Sequence, residues 1–211
     1  MNRKRDIHVP AIAVLVLGFV VGLLAYPYLP GPFLEQKIST RLLVAFTLPT
    51  TALVIYALFR SLWRHDRIRS GNGAFESTYH AIVLRVLLFV FALHVLVMIG
   101  LTGPMDAFWL RLSSGRAVVV LLGVALVAIG NLLPRTRPNV AVGVRTTRTL
   151  ANTQVWQQVH RAGGYATVGL GLVVAGTGLV LTHETLGAVI GAAAVVAALI
   201  VFASYRRYAR A

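Results

Sequence analysis

Six long apolar stretches follow one another along the chain, and the short segments between them carry most of the polar residues. Each stretch is roughly 17–23 residues long, enough for a helix to cross about 30 Å of hydrocarbon. Strands of a membrane barrel would instead alternate polar and apolar positions, and runs such as 118–122 show no alternation. The pattern therefore predicts an all-α membrane protein with six transmembrane helices. They lie at about 9–26, 42–63 (with Pro49 inside), 79–101, 117–133, 164–181 and 186–205.

The composition agrees with this pattern and excludes other classes. Hydrophobic residues make up 57% of the chain and charged residues 12%, against about 45–50% and about 25% in soluble domains. An ordinary water-soluble enzyme and a disordered chain are both excluded. Cysteine is absent, which removes disulfides, thiol nucleophiles and cysteine-ligated metals.

The basic residues predict the orientation. The net charge is +14, and if the N-terminus is cytoplasmic, the cytoplasmic segments hold fifteen basic residues and the outer loops hold four. An excess of arginine and lysine marks the cytoplasmic side, so both termini are expected there. This placement explains the charge without nucleic acid and predicts attraction to anionic lipids. The outer four are Lys37, Arg41, Arg111 and Arg116.

Small residues predict where helices pack closely. Gly18 and Gly22 form a GxxxG pair in the first span, and Gly187 and Gly191 form another in the sixth. The fifth span carries several glycines at comparable spacing. These are Gly169, Gly171, Gly176 and Gly178.

Two ionisable residues lie at depth, and both are in the third span: Arg85 and His94. The sequence places no Asp or Glu inside the spans, which argues against a proton-coupled transporter. Nine residues separate the pair, so they face opposite sides of the helix. We expect Arg85 to reach the headgroups or a backbone carbonyl, and His94 to be neutral and hydrogen-bonded. No second inward histidine accompanies His94, and no catalytic motif occurs, so we expect no metal, no cofactor and no enzyme activity.

The segment 130–161, between spans four and five, is unlike the other loops. Pro134 and Pro138 are expected to end the fourth helix, and Gly143 to permit a backbone turn. Asn152 is expected to cap a short interfacial helix before span five, with Trp156 at the membrane–water boundary. Four arginines within 14 residues suit phosphates, carboxylates or an acidic partner. The simpler alternative is a basic loop that only fixes the orientation.

The same segment resembles the signature of the SdpI family, bacterial membrane proteins named for immunity to a secreted sporulation-delaying toxin. The motifs that carry the resemblance are Gly130-Asn131, Pro134, Arg137-Pro138-Asn139, Gly143-x-Arg145-Thr146, Thr149-Leu150, Val155-Trp156 and His160-Arg161. The candidate residues for binding a partner or a headgroup are Asn131, Pro134, Arg135, Arg137, Pro138, Asn139, Gly143, Arg145, Thr146, Arg148, Trp156, His160 and Arg161.

The resemblance implies a multi-pass protein of the bacterial plasma membrane with a role in immunity and signalling. It would protect against a secreted membrane-active toxin on the outer face and capture a soluble transcriptional repressor on the cytoplasmic face. It also divides the chain into an N-terminal three-helix region, 1–116, and an SdpI-like region, 117–211. Residues 26–41 would be a degenerate form of a proline-rich exoplasmic segment.

Two other function classes stay open. A small transporter or lipid-handling protein would need a hydrophilic cavity. An enzyme acting on lipid phosphate could use the polar residues of the segment 130–161, but the sequence places no nucleophile and general base together there.

Overall fold

The computed structural model describes residues 9–29, 38–70, 76–102, 115–180 and 183–209. Within these ranges the regular structure is helical, with no strand. Two short 3-10 helices, Tyr26–Tyr28 and Leu133–Arg135, accompany the α-helices. The α-helices are α1 (Val9–Ala25), α2 (Ile38–Ser70), α3 (Glu76–Thr102), α4 (Gly115–Gly130), α5 (Thr147–Ala151), α6 (Thr153–Val180) and α7 (His183–Ala209).

In the described part of the chain, six segments are long and apolar enough to cross a membrane, which agrees with the predicted number of spans. The orientation derived from the basic residues remains a prediction. Half of the proline-rich stretch of 26–41, residues 30–37, lies outside the described residues. The spanning windows are Val9–Tyr28, Thr40–His65, Glu76–Thr102, Gly115–Arg135, Thr153–Val180 and Gly187–Tyr208.

The first three spans pack together around their own apolar cluster. α1 contacts α2 and α3, and α2 contacts α3. The cluster draws residues from all three helices, because each turns one face towards the other two. We call it the N-terminal core. Its buried members are Ala11, Leu15, Ala52, Tyr56, Trp63, Tyr79, Val83, Leu87 and Val90.

The remaining spans extend from this unit in chain order. α3 packs on α4, α4 packs most extensively on α6, and α6 packs on α7. α7 lies at the outside, with none of its spanning window buried. Its large exposed side chains between Val195 and Phe202 are apolar, as a surface facing lipid requires. The segment between α4 and α6 therefore joins the two helices in the closest contact.

Glycines bring the backbones of α4 and α6 together. A Cβ on Gly123 would lie 2.6 Å from the carbonyl oxygen of Gly171, and a Cβ on Gly171 would lie 2.6 Å from the carbonyl oxygen of Gly123. A Cβ on Gly164 would lie 2.9 Å from the carbonyl oxygen of Gly130. Side chains at these positions would force the helices apart, so the glycines set the spacing.

The two GxxxG pairs differ in their surroundings. A Cβ on Gly22 would come within 2.5 Å of the carbonyl oxygen of Ala45 in α2, so the predicted close contact of the first span is confirmed. The same carbonyl lacks its usual hydrogen bond within α2, because the residue four positions later is Pro49, which has no N–H. Among the described residues, no atom lies within 4 Å of such a Cβ on Gly187 or Gly191, so the close contact expected there is not found in this part of the chain. They lie on the outermost helix, which has no further span beside it.

The predicted short interfacial helix is the beginning of a longer one. Asn152 does cap a helix, since its Oδ1 accepts N–H groups of the next turn at 2.8 and 3.2 Å. That helix runs on without a break through Gly163 and Gly164 as α6. These glycines do not end the helix. Gly164 instead lets α6 pack closely against Pro134. A separate five-residue helix, α5, precedes it.

Replacing Gly171 by Ala is expected to lower the free energy of unfolding by about 1–3 kcal/mol, because the new methyl overpacks a backbone contact. Gly176 is the matched control, since it lies in the same helix with open space around its Cβ position. Gly176→Ala should be neutral or stabilising by up to about 1 kcal/mol, the helix propensity gained. Thermal unfolding of the two purified variants in detergent measures the difference. Equal destabilisation would contradict the assigned packing.

Candidate functional site

The candidate site is built on residues 131–152, the segment that joins α4 to α6, which we call the connector. The chain leaves α4 through a turn, in which Leu132 N–H bonds the carbonyl of Ile129 at 2.9 Å. Pro134 then stands in the 3-10 helix that follows and packs on Gly164 of α6, where a Cβ would lie 2.7 Å from the proline Cδ. The connector thus folds back on α6 immediately after α4 ends.

Asn139 organises the middle of the connector from inside it. The residue is 2% exposed. Its Oδ1 accepts the N–H groups of Ala141 and Val142 at 2.9 and 2.8 Å. Its Nδ2 donates to the carbonyls of Arg137 and Val142 at 2.7 and 3.1 Å. The amide makes four hydrogen bonds to backbone groups of the connector. It thus pairs N–H and C=O groups that have no partner in a helix or a sheet, and it stabilises the turn.

Gly143 and His160 form the closest contact between the connector and α6. Gly143 has a φ of 119°, in the region that favours glycine. A Cβ there would fall 2.0 Å from Nε2 of His160. The same Nε2 accepts the N–H of Val144 at 2.9 Å, and Nδ1 lies 2.8 Å from the carbonyl of Trp156. His160 is therefore the neutral Nδ1–H tautomer, which donates to its own helix and accepts from the connector.

Trp156 extends this contact back towards the end of α4. Expected at the membrane–water boundary, it is instead 0% exposed. Its indole ring stacks on His160 with 3.8 Å between ring centroids and 13° between planes. Its Nε1 donates to Oγ1 of Thr136 at 3.2 Å, and that hydroxyl donates to the carbonyl of Leu133 at 2.7 Å. The indole N–H finds its partner inside the protein, so the ring needs no interfacial water.

The last part of the connector is closed by paired threonines. Thr146 caps α5 by accepting the N–H of Thr149 at 3.2 Å, and the Thr149 hydroxyl accepts the N–H of Thr146 at 2.9 Å. That hydroxyl also donates to the carbonyl of Val144 at 2.8 Å. Thr149 is fully buried. The arrangement is a capping box, and it binds α5 to the same residue whose N–H bonds His160.

The arginines of the segment all point outwards. Each is exposed, whereas four polar residues between them, Thr136, Asn139, Thr149 and His160, are buried. The guanidinium of Arg145 also donates to the carbonyl of Val140, and that of Arg161 lies 6.0 Å from the ring centroid of Tyr165. We call these five residues the arginine surface. They are Arg135, Arg137, Arg145, Arg148 and Arg161.

The structure divides the thirteen candidate residues into two groups. One group turns inwards or shapes the backbone, and its hydrogen bonds and contacts are internal. It consists of Pro134, Pro138, Asn139, Gly143, Thr146, Trp156 and His160. The other group is exposed to a partner or a headgroup. It consists of Asn131 and the arginine surface. A binding role remains a prediction for the second group.

The two intramembrane candidates lie apart from the connector. Arg85 donates to the carbonyl of Ala81 one turn earlier at 3.3 Å, one of the two outcomes expected for it. His94 is 1% exposed and faces the backbone of Gly18. The hydrogen bond expected for His94 stays a prediction. Among the described residues, no group of three His, Asp or Glu side chains is placed to hold a metal ion.

Thr136 and Val144 are the important residues that the sequence did not indicate. Thr136 stands between two exposed arginines, and only the fold shows that its side chain turns inwards to Trp156. Val144 contributes through its backbone N–H, which any residue except proline would supply. Neither position carries a signal in the side-chain pattern.

Residues 135–204 match the model of the SdpI/YfhL protein family. The match begins inside the 3-10 helix, covers the rest of the connector and all of α6, and ends near the end of α7. It confirms the resemblance drawn from the sequence motifs. No curated protein and no solved structure matches the chain.

Replacing Gly143 by Ala is expected to loosen the connector, because a side chain is strained at this φ and collides with His160. A left-handed conformation costs an L residue about 1–2 kcal/mol, which corresponds to about a five- to thirtyfold rise in local opening. Limited trypsin digestion reads this directly as faster cleavage after Arg145 and Arg148. Gly163→Ala is the control, since its Cβ would meet only Val201 at 3.7 Å. Unchanged cleavage in Gly143→Ala would contradict the assigned contact.

Proposed function

Since residues 135–204 match the model of the SdpI/YfhL protein family, we propose that the chain is a non-enzymatic immunity and signalling protein of the bacterial plasma membrane. It protects the cell from a secreted membrane-active toxin. It also binds a soluble transcriptional repressor at the cytoplasmic face. The observation that carries the proposal is the arginine surface, four exposed arginines on the connector and Arg161 in α6. The buried polar side chains of the connector are hydrogen-bonded internally.

The rigidity of the connector supports a binding role for the arginines. Ordering a long charged side chain and its loop on binding costs free energy. Here the backbone under Arg137 and Arg145 is already fixed by Asn139 and by the Val144–His160 hydrogen bond. A partner therefore meets guanidinium groups whose backbone is already ordered. A basic loop that only set the orientation would not need this internal bonding.

The chemistry of the surface indicates an acidic partner. Guanidinium groups bind carboxylates and phosphates in a bidentate manner. The described residues place no Asp or Glu in the connector or in the first turns of α6. The repressor would thus present an acidic face to the arginine surface, and anionic lipid headgroups would compete for the same groups.

The opposite end of the bundle offers the region where a toxin would arrive. Under the predicted orientation, the end of α1 and the start of α2 face outwards. There Arg41 donates to the carbonyl of Leu29 at 3.2 Å and lies 5.6 Å from the ring centroid of Tyr26. Tyr28, two residues after Tyr26, is 73% exposed, and a cation near aromatic rings suits an amphipathic peptide at the membrane interface.

The double substitution Arg137→Ala and Arg145→Ala is expected to abolish protection, because it removes two guanidinium groups from the middle of the arginine surface. The assay measures survival of a sensitive bacterial strain expressing the chain and challenged with the toxin that gives the family its name. Arg206→Ala with Arg207→Ala is the matched control, since both are exposed arginines outside the connector. Immunoblotting of membranes establishes equal amounts of each variant.

Full protection by the Arg137/Arg145 variant would contradict the role given to the arginine surface. Equal loss in both double variants would assign the effect to total charge. Flux of a solute or lipid through proteoliposomes containing the chain would favour the transporter alternative instead.

The predicted orientation is tested by labelling a single cysteine. The natural chain has no cysteine, and Thr147 is an exposed position of α5. Thr147→Cys should react with a membrane-impermeant maleimide in inside-out vesicles and stay unlabelled in intact cells. Labelling from the outside of intact cells would place the arginine surface on the wrong side for a repressor.

A further inference from the structure

The connector touches both halves of the molecule within four residues. Ala141 and Val142 are half-buried and pack against the N-terminal core formed by α1, α2 and α3. Two residues later, the N–H of Val144 bonds Nε2 of His160 in α6. We propose that the connector is a mechanical coupling element: the packing of α1–α3 under Ala141 and Val142 sets whether the Val144–His160 bond is made, and so sets the position of the arginine surface.

The residues between the contact with the N-terminal core and the bond to α6 are held by hydrogen bonds and packing. Asn139 accepts the N–H groups of both Ala141 and Val142, so these two residues move with its side chain. Gly143, the one residue between Val142 and Val144, lies against the His160 ring at a φ of 119°. A displacement of Ala141 and Val142 therefore also moves Val144, because no flexible residues lie between them.

The bond to His160 has two discrete states, made and broken. The Nδ1–H of the ring is committed to the carbonyl of Trp156, so Nε2 is an acceptor aimed at the connector. Stacking against Trp156 fixes the plane of the ring, so the imidazole does not follow a retreating N–H. A two-state contact of this kind is what a conformational equilibrium can bias.

Two members of the arginine surface are attached to this element. The carbonyl of Arg137 accepts from the Asn139 amide at 2.7 Å. Arg145 follows Val144 directly, and its guanidinium donates to the carbonyl of Val140. Breaking the contact with His160 would therefore reposition both guanidinium groups. The coupling itself is a property of the fold, and it rests on the proposed function only for its use in signalling.

The experiment uses the full chain in lipid nanodiscs with a single cysteine as reporter. Ala141→Cys replaces a half-buried small residue, and its rate of reaction with a maleimide reports separation from the N-terminal core. Trp63 of α2 is a core residue at the end of the bundle where the connector lies, and it is 8% exposed. In the reporter background, Trp63→Ala should raise the labelling rate at least about fivefold. It should also speed trypsin cleavage after Arg145.

The same coupling must work in the reverse direction. His160→Leu removes the acceptor for the Val144 N–H and should raise the labelling rate of the reporter cysteine at least about fivefold, the effect of leaving one half-buried N–H unpaired. His160→Gln should stay within about twofold of the parent, because its Oε1 can take the place of Nε2 as acceptor. A histidine that only fills space would not separate the leucine and glutamine variants.

Controls make each outcome decisive. Leu58 lies on the same helix as Trp63 but is 57% exposed, so Leu58→Ala should change neither reading. If Trp63→Ala does not fold, Val142→Ala removes the same contact from the connector side and should speed cleavage after Arg145. The proposal is overturned if His160→Leu opens the connector for trypsin but leaves labelling of the reporter cysteine unchanged. It is equally overturned if the core variants alter neither cleavage nor labelling.

These readings need no toxin and no repressor. Coupling without protection in the toxin challenge would therefore reject the proposed function and keep the coupling element. Protection without coupling would do the opposite.

Discussion

The structure depends on one constraint, which is that backbone leaving a helix beside a packed bundle must find hydrogen-bond partners at once. The connector meets it with side chains. Asn139 accepts the N–H of Val142, Thr149 donates to the carbonyl of Val144, and His160 accepts the N–H of Val144. Each of these side chains is buried, so the connector forms a folded cap on α6. The arginines are exposed because the interior positions are already occupied by these neutral groups.

The spans were predictable because lipid leaves few alternatives. A helix must be long and apolar to cross hydrocarbon, so the hydropathy pattern predicts such helices directly. Helix contacts were less predictable, since a small-residue motif needs a neighbour. Gly22 and Gly191 stand in the same kind of motif, but only Gly22 has a helix against it. The separate interfacial helix expected before span five was wrong for a related reason: it is continuous with α6, and Gly164 within it packs against Pro134.

The sequence indicated the segment that forms the candidate site, but it did not indicate which of its side chains face outwards. Arginine, asparagine, tryptophan and histidine in one polar segment indicate binding, and every one of these types can contact a partner. The fold separates them by direction. Asn139 has four internal backbone hydrogen bonds and Trp156 is fully buried, whereas Arg137 is exposed. Sequence spacing could not show this, because the connector has no regular period from which to assign an inner and an outer face.

The connector and the spans also differ in how much free energy a rearrangement requires. Moving a spanning helix would separate backbones in contact at Gly123 and Gly171 and expose polar groups to lipid, at a cost of several kcal/mol per group. Releasing Val144 from His160 breaks one hydrogen bond, with a net contribution of about 0.5–1.5 kcal/mol, or about 1–3 kcal/mol if the N–H stays unpaired. A signal of modest free energy could therefore rearrange the connector while the six spans stay packed.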